Sequence, residues 1–374
     1  MTHSVIGPLR RAVRRPQTVA AAASAAFLTL FTSMVVDSAT GSGVSLRGAA
    51  SLSFGAAVLG GISAEALRGQ VGPLRSAIRR AVILGFVGFV VLGTVYLIAH
   101  RSTFGQRFER DTLLGHNEIG GLEGTAQAIL ALVTGGSLLL VGGTCCAVAA
   151  MRNQMRLAFG LAVAIIVTTA TAIVLKSVLL PRPRLLGDDA ITTVRSYPSG
   201  HVAAAAAIGG ALVLVARPKW RMRAAVAAVI VTGLVGISVL VAGWHRPSDA
   251  IGSVALAASV FATTAAVMAG LHTSEPGGRF GVGPRVPSRF WLIGIYSLVV
   301  GLAGFLVVEL TRLDTASNGP QQTTAFLAGC ATFVAVECLA FAGLVSVLRG
   351  MDATADGSEG SGERPSASHD GMSL

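Results

Sequence analysis

The chain has 374 residues, of which 52% are hydrophobic and only 13% charged, with a mean hydropathy of +0.69 and a net charge of +11. Soluble globular chains carry about 25% charged residues, so the polar surface here is too small to cover two or three water-soluble domains, and the chain reads as an integral membrane protein. Its 29 Lys and Arg residues would suggest nucleic acid on a soluble chain, so their placement decides what the charge means.

A helix needs about 20 apolar residues to cross a bilayer. The first run, residues 18–36, follows Arg10, Arg11, Arg14 and Arg15. It has the outline of a secretory signal, but Asp-Ser-Ala-Thr-Gly-Ser after Val36 is a poor cleavage site, so an anchor is expected. A weaker run rich in Gly, Ala and Ser covers 46–66. Further runs cover 81–100, 124–150, 157–180, 199–216, 224–244, 249–271, 290–310 and 323–348. Arg68, Arg75, Arg79 and Arg80 precede the third run, and Arg152 and Arg156 follow the fourth. Arg217, Lys219, Arg221 and Arg223 separate two later runs, and Arg279, Arg285 and Arg289 lie in another short loop. All these clusters share one side only if 46–66 also spans, which predicts ten spans with both termini cytoplasmic. Trp220, Trp244 and Trp291 then fall at the interfaces. Cys145, Cys146, Cys330 and Cys338 lie in apolar stretches without zinc-type spacing and read as small core hydrophobes. The residues from Arg349 onward have no apolar periodicity and read as a disordered cytosolic tail.

Three loops share the opposite, extracytoplasmic side. Lys176 ends one helix ahead of Pro181-Arg182-Pro183-Arg184; Tyr197-Pro198-Ser199-Gly200-His201 opens the next; Gly243-Trp244-His245-Arg246-Pro247-Ser248-Asp249 joins two more. Ser199 is a good N-cap, and a helix start with free N–H groups around Gly200 suits an anion. Lys176 and Arg182 add positive charge and donors suited to phosphate oxygens. His245 and Asp249 lie four residues apart, so the carboxylate can hold one imidazole nitrogen and raise the basicity of the other, as a nucleophile requires. His201 is placed to act as general acid, and His245 is expected to face solvent. No cluster offers three or four metal ligands, so no cofactor is expected and the cations must supply the electrostatics. Taken singly, the same residues have simpler readings, with Lys176 and Arg182 reaching for headgroups and His245 a satisfied interfacial histidine.

Jointly these residues resemble the signature of the type 2 phosphatidic acid phosphatase superfamily, which includes membrane lipid phosphatases and is related to vanadium haloperoxidases. That signature runs Lys, six residues, Arg-Pro; then Pro-Ser-Gly-His; then Ser-Arg, five residues, His, three residues, Asp. The second block matches in full at Pro198 to His201, and His245 and Asp249 match the end of the third. The resemblance covers a six-helix core over 81–271, outside which the apolar runs leave helix pairs in 1–80 and 272–348 and the composition a tail over 349–374. It implies that Lys176, Arg182, Ser199 and Gly200 hold phosphate, that His201 is the acid, and that His245, oriented by Asp249, forms a phosphohistidine. Two departures stand out. Five residues separate Lys176 from Arg182, so a kink at Pro181 is expected to absorb one residue, and Val239 stands where the family carries arginine. Arg246, Arg184 and Arg195 are the candidates to supply the missing cation, with Arg246 as the extra phosphate contact.

The fold class expected is therefore all-α, a polytopic helix bundle in the plasma membrane. The function expected is a metal-independent phosphatase acting on a phosphatidate-type or polyprenyl lipid at the extracytoplasmic face, with a phosphorylated lipid and the bilayer as partners and no nucleic acid. The alternatives are a phospholipid binder or transporter that kept the fold and lost a clamp arginine, and a general polytopic transporter. Glu337, mid-span in the last run, is a functional candidate or a protonated acid bonded to a neighbouring helix, and is left out of the site.

Overall fold

The computed structural model describes residues 73–119, 121–180, 182–186, 196–272, 280–281, 285–312, 318–349 and 351–353. The expected spans 18–36 and 46–66, Arg195 and most of the tail lie outside the described residues. Ten α-helices carry the described chain: α1 Pro73–Arg101, α2 Thr103–Gly115, α3 Glu123–Ala131, α4 Gly135–Met151, α5 Met155–Val174, α6 Gly200–Val215, α7 Arg221–Val241, α8 Pro247–His272, α9 Ser288–Thr311 and α10 Gly319–Leu348. One two-residue antiparallel pairing, β1 Phe280–Gly281 with β2 Asp352–Ala353, joins the loop after α8 to the segment after α10. The all-helical polytopic bundle read from the apolar runs is what the chain forms.

Six of these helices are long and apolar enough to cross a membrane. The run 124–150 is not one straight span. It breaks into α3 and α4, which meet at 55°. The break falls at Thr134-Gly135-Gly136-Ser137, a polar and glycine-rich stretch of the run, and local hydrogen bonding fixes it. Thr134 caps α4 by accepting from the Ser137 amide, and Ser137 Oγ accepts from the Thr134 amide in return. A second feature absent from the apolar pattern is α2, whose buried face is polar: Gln106, Glu109, Asp111 and Thr112 point inward while Phe104 is exposed.

The bundle is built around α8, which packs on α1, α5, α6 and α10. Beside it α6 is almost wholly buried, and its Ala and Gly residues let neighbours approach closely. A Cβ on Gly210 would lie 2.7 Å from the Phe261 ring of α8. At 16 residues α6 is about 24 Å long, shorter than a ~30 Å hydrocarbon core. Its neighbours rather than lipid surround it, so the short span is tolerated. The outermost helix, α9, lies against α10.

The arginine-rich turns gather at one end. Arg80 donates to the Ser346 carbonyl at 2.9 Å and to that of Arg349, Arg152 to that of Val215 at 2.7 Å, and Arg221 to that of Leu348 at 3.4 Å. The end of α1, the turn after α7 and the heads of α6 and α8 meet at the other end.

Candidate active site

At that other end, α7 stops where Gly243 takes φ +65, the left-handed conformation favoured by glycine at a helix C-terminus. The chain folds back so that the amides of Trp244 and His245 both donate to the Val239 carbonyl, at 3.1 and 3.2 Å. His245 is therefore tucked under the end of α7 and only 7% exposed. The sequence reading placed it facing solvent; the reversal at Gly243 buries it instead.

Pro247 starts α8, and Asp249 lies in its first turn. Oδ2 of Asp249 accepts from the Arg246 amide at 3.1 Å and faces His245 Nδ1 at 3.1 Å. One carboxylate thus closes the helix start, where an anion also meets the helix dipole, and grips the imidazole. Since a carboxylate only accepts, Nδ1 carries the proton and Nε2 keeps its lone pair. The other oxygen, Oδ1, accepts from Ser196 Oγ at 3.2 Å and lies 3.5 Å from His100 Nε2.

The head of α6 is stitched to the head of α8. The Ser199 amide donates to the Asp249 carbonyl at 3.1 Å, and Ser253 Oγ reaches the carbonyls of both Ser199 and Asp249 at 2.8 Å. Ser199 occupies the N-cap position of α6, as expected, but its side chain makes no capping bond. Its Oγ is buried and has no hydrogen-bond partner among the described residues, as does Nη1 of the buried Arg182. Around Gly200, at the head of α6, a Cβ would meet nothing within 4 Å. Two orphaned buried donors beside open space and free helix-start amides form a cradle that an anion would complete.

Arg182 is held by α2. Gln106 Nε2 donates to the carbonyls of His100 and Pro183 at 2.8 and 2.7 Å, and Gln106 Oε1 accepts from the Leu185 amide at 3.2 Å. Burial lowers the Arg182 guanidinium to about 10; Arg246 nearby pushes the same way, while Glu109 and Asp249 oppose. It remains a cation at neutral pH. Arg246 is itself buried, with Nη1 3.3 Å from Ser196 Oγ. Lys176 lies on a π-type turn, Leu175–Leu179, that ends α5 ahead of the position expected for the kink; Pro181 lies outside the described residues. His201, half-buried on α6, feels the charges of His245 and Lys176 and tilts toward the Trp244 ring, 5.7 Å away.

The structure therefore brings together His245, Asp249, Arg182, Arg246 and Ser199, with Gly200 and His201 at the rim. Arg184 is exposed, and Arg195 lies outside the described residues. Sequence reasoning missed His100, Gln106, Glu109, Ser196 and Ser248. His100 ended an expected span and the others carried no motif. The one usable signal was the helical spacing of Gln106, Glu109 and Thr112 between two expected spans.

The pattern of the PAP2 superfamily matches residues 153–272, the segment from α5 to the end of α8 that contains all three motif blocks. The match supports a phosphatase-type activity. Neither a curated protein nor a solved structure matches the chain.

Proposed function

We propose, from the match of residues 153–272 to the PAP2 superfamily, that the protein is a membrane lipid phosphatase that transfers the phosphoryl group of a lipid phosphomonoester or diphosphate to His245 and then to water. The observation that carries this reading is the pairing of His245 Nδ1 with Asp249 at 3.1 Å beside the orphaned donors of Arg182 and Ser199. In the first step Nε2 of His245 attacks phosphorus, a P–N bond forms and the bond to the lipid oxygen breaks. His201 gives its proton to the departing oxygen. Water then attacks the phosphohistidine, His201 takes back a proton, and phosphate leaves. Arg182, Arg246, Lys176 and the α6 amides meet the charge on the phosphoryl oxygens. In this reading the site faces the extracytoplasmic side of the plasma membrane, which is supported by the arginine-rich turns at the opposite end of the bundle.

Phosphate release by the purified protein in detergent tests this, with phosphatidate, lysophosphatidate, phosphatidylglycerophosphate and polyprenyl diphosphate as the panel. Release that survives EDTA and is stopped by vanadate is expected. His245→Asn should abolish it, and Asp249→Asn should cut it by about 10⁴-fold through the wrong tautomer. Turnover by His245→Asn at the wild-type rate would rule out the phosphohistidine route. A second reading, a phospholipid binder that lost catalysis, is favoured by Val239, which is fully buried where the family carries its arginine. Binding of these lipids without release by the wild type would select it.

A further inference from the structure

Behind Asp249 lies a second set of buried polar groups that the proposed chemistry does not use. His100 ends α1 and is 1% exposed; Glu109 on α2 is 4% exposed and Ser248 on α8 2%. Ser248 Oγ lies 2.8 Å from Glu109 Oε2 and 3.1 Å from His100 Nε2, and the Ser248 amide donates to Glu109 Oε1 at 3.4 Å. His100 Nε2 also faces Asp249 Oδ1 at 3.5 Å, a carboxylate oxygen that only accepts, which assigns the proton of His100 to Nε2. Ser248 Oγ then accepts from His100 and gives its one proton to Glu109. The imidazole is fixed in plane by Tyr96, stacked with centroids 5.6 Å apart, and by the edge of Tyr197 at 5.0 Å. Tyr197 is tied in turn to the Leu92 carbonyl at 2.6 Å.

We propose that His100 and Glu109 are positioning residues of the nucleophile: with Ser248 they form a chain ending on the Asp249 oxygen that His245 leaves free, and they set the basicity of the Asp249–His245 pair. This rests on the phosphohistidine reading of the site. With His100 and Ser196 on Oδ1 and with Arg246 N–H and His245 on Oδ2, both oxygens of Asp249 are saturated. The carboxylate then stays ionised, and the proton stays on His245 Nδ1. A merely structural plug at this helix end would not need a buried carboxylate, whose desolvation is costly. That burial raises the Glu109 pKa, Asp249 adds to it, and His100 and Arg182 pull it back. Both residues precede the segment that matches the family.

The charged and titratable groups around the His245–Asp249 pair are His100 from α1, Glu109 from α2, His116 after α2 beside Gly243, Lys176 on the turn after α5, Arg182 from the α5–α6 loop, His201 from α6, and Arg246 at the head of α8. Losing His100 leaves Asp249 more basic, which raises the proton affinity of His245. Losing the Glu109 charge leaves the site more positive, which lowers it. The two changes therefore move the acid limb of the kcat/KM profile in opposite directions.

The experiment measures kcat, KM and the pH–rate profile of full-length His100→Ala and Glu109→Gln, normalised to folded protein by thermal unfolding. Expected are kcat losses of ~10- to 100-fold with KM little changed, an acid limb moved up for His100→Ala, and one moved down for Glu109→Gln. If His100→Ala does not fold, the isosteric Glu109→Gln carries the test alone through its downward shift. Unmoved limbs, or shifts of both in the same direction, overturn the proposal. Active His245→Asn would instead remove the reading beneath it, so the two failures are told apart.

Discussion

Val239 stands where the family signature carries arginine, and its side chain is fully buried in an apolar cluster with Val202, Leu240 and Val254. Its carbonyl meanwhile receives the amides that seat His245. An arginine there would have to bury a cation without a prepared partner, while buried Arg246 already stands beside Ser196. Val239→Arg should therefore lower kcat/KM and the unfolding temperature, and Arg246→Ala should be as damaging to kcat/KM as Arg182→Ala; a gain from Val239→Arg would favour the lost-clamp reading. Glu109 gives a prediction in pH. Burial, then Asp249, raises its carboxyl above the ordinary value. Its contribution to stability is thus full below the ordinary carboxylate range and is lost as pH rises through the raised value. The unfolding temperature of Glu109→Gln relative to wild type should become more favourable as pH rises from the ordinary carboxylate range through the raised value, and a flat difference would refute the assignment. His245, Asp249, Ser199 and His201 were legible because each belongs to a short linear pattern. His100 and Glu109 were not, because their roles arise only when α1 and α2 are folded against α8.

At the scale of helices, α10 explains why the C-terminal pair is more than an appendage. A Cβ on Gly329 would lie 2.4 Å from Cγ of Pro247, the first residue of α8. A Cβ on Gly115 of α2 would lie 2.1 Å from the Gln322 carbonyl of α10. Arg312, after α9, pairs with Asp111 of α2 at 2.6 Å and with Glu309 at 3.0 Å. The pair thus presses α2, with Gln106 and Glu109, against the turn that carries His245. Gly329→Ala should displace Pro247 and reduce kcat about tenfold or more, a size in keeping with small displacements of reacting groups. Gly270→Ala, with nothing within 4 Å of the new Cβ, should keep kcat and gain helix stability of up to ~1 kcal/mol. Equal kcat values for the two variants would disprove the brace. The long apolar helices were legible from run length alone. The polar inner face of α2 was not, since it inverts the usual rule of apolar inside, and neither was the α3–α4 bend, which rests on one capping box.

For the molecule as a whole, the charge of +11 resolves into geometry. Arg80, Arg152 and Arg221 mark one end of the bundle, Arg182 and Arg246 carry the proposed phosphate chemistry at the other, and Arg312 at that end is paired with Asp111 and Glu309. Orientation can be measured directly. In a chain with its four native cysteines replaced, Glu123→Cys, exposed beyond α2, should react with an impermeant thiol reagent on intact cells, and Lys219→Cys, exposed between α6 and α7, should not. Labelling at 219 alone would turn the molecule over and move the site to the cytoplasm.

The bonds that stitch the head of α6 to the head of α8 have a consequence for selectivity. The anion cradle and the nucleophile belong to one rigid piece, joined through Ser199, Asp249 and Ser253. Under the proposed chemistry, the reach from His245 to a seated phosphorus is set by the protein and is blind to the alcohol beyond it. A poor lipid then has no means of misaligning the attack. Discrimination among lipids would fall to arrival and docking, so that different substrates share a turnover number and differ in KM.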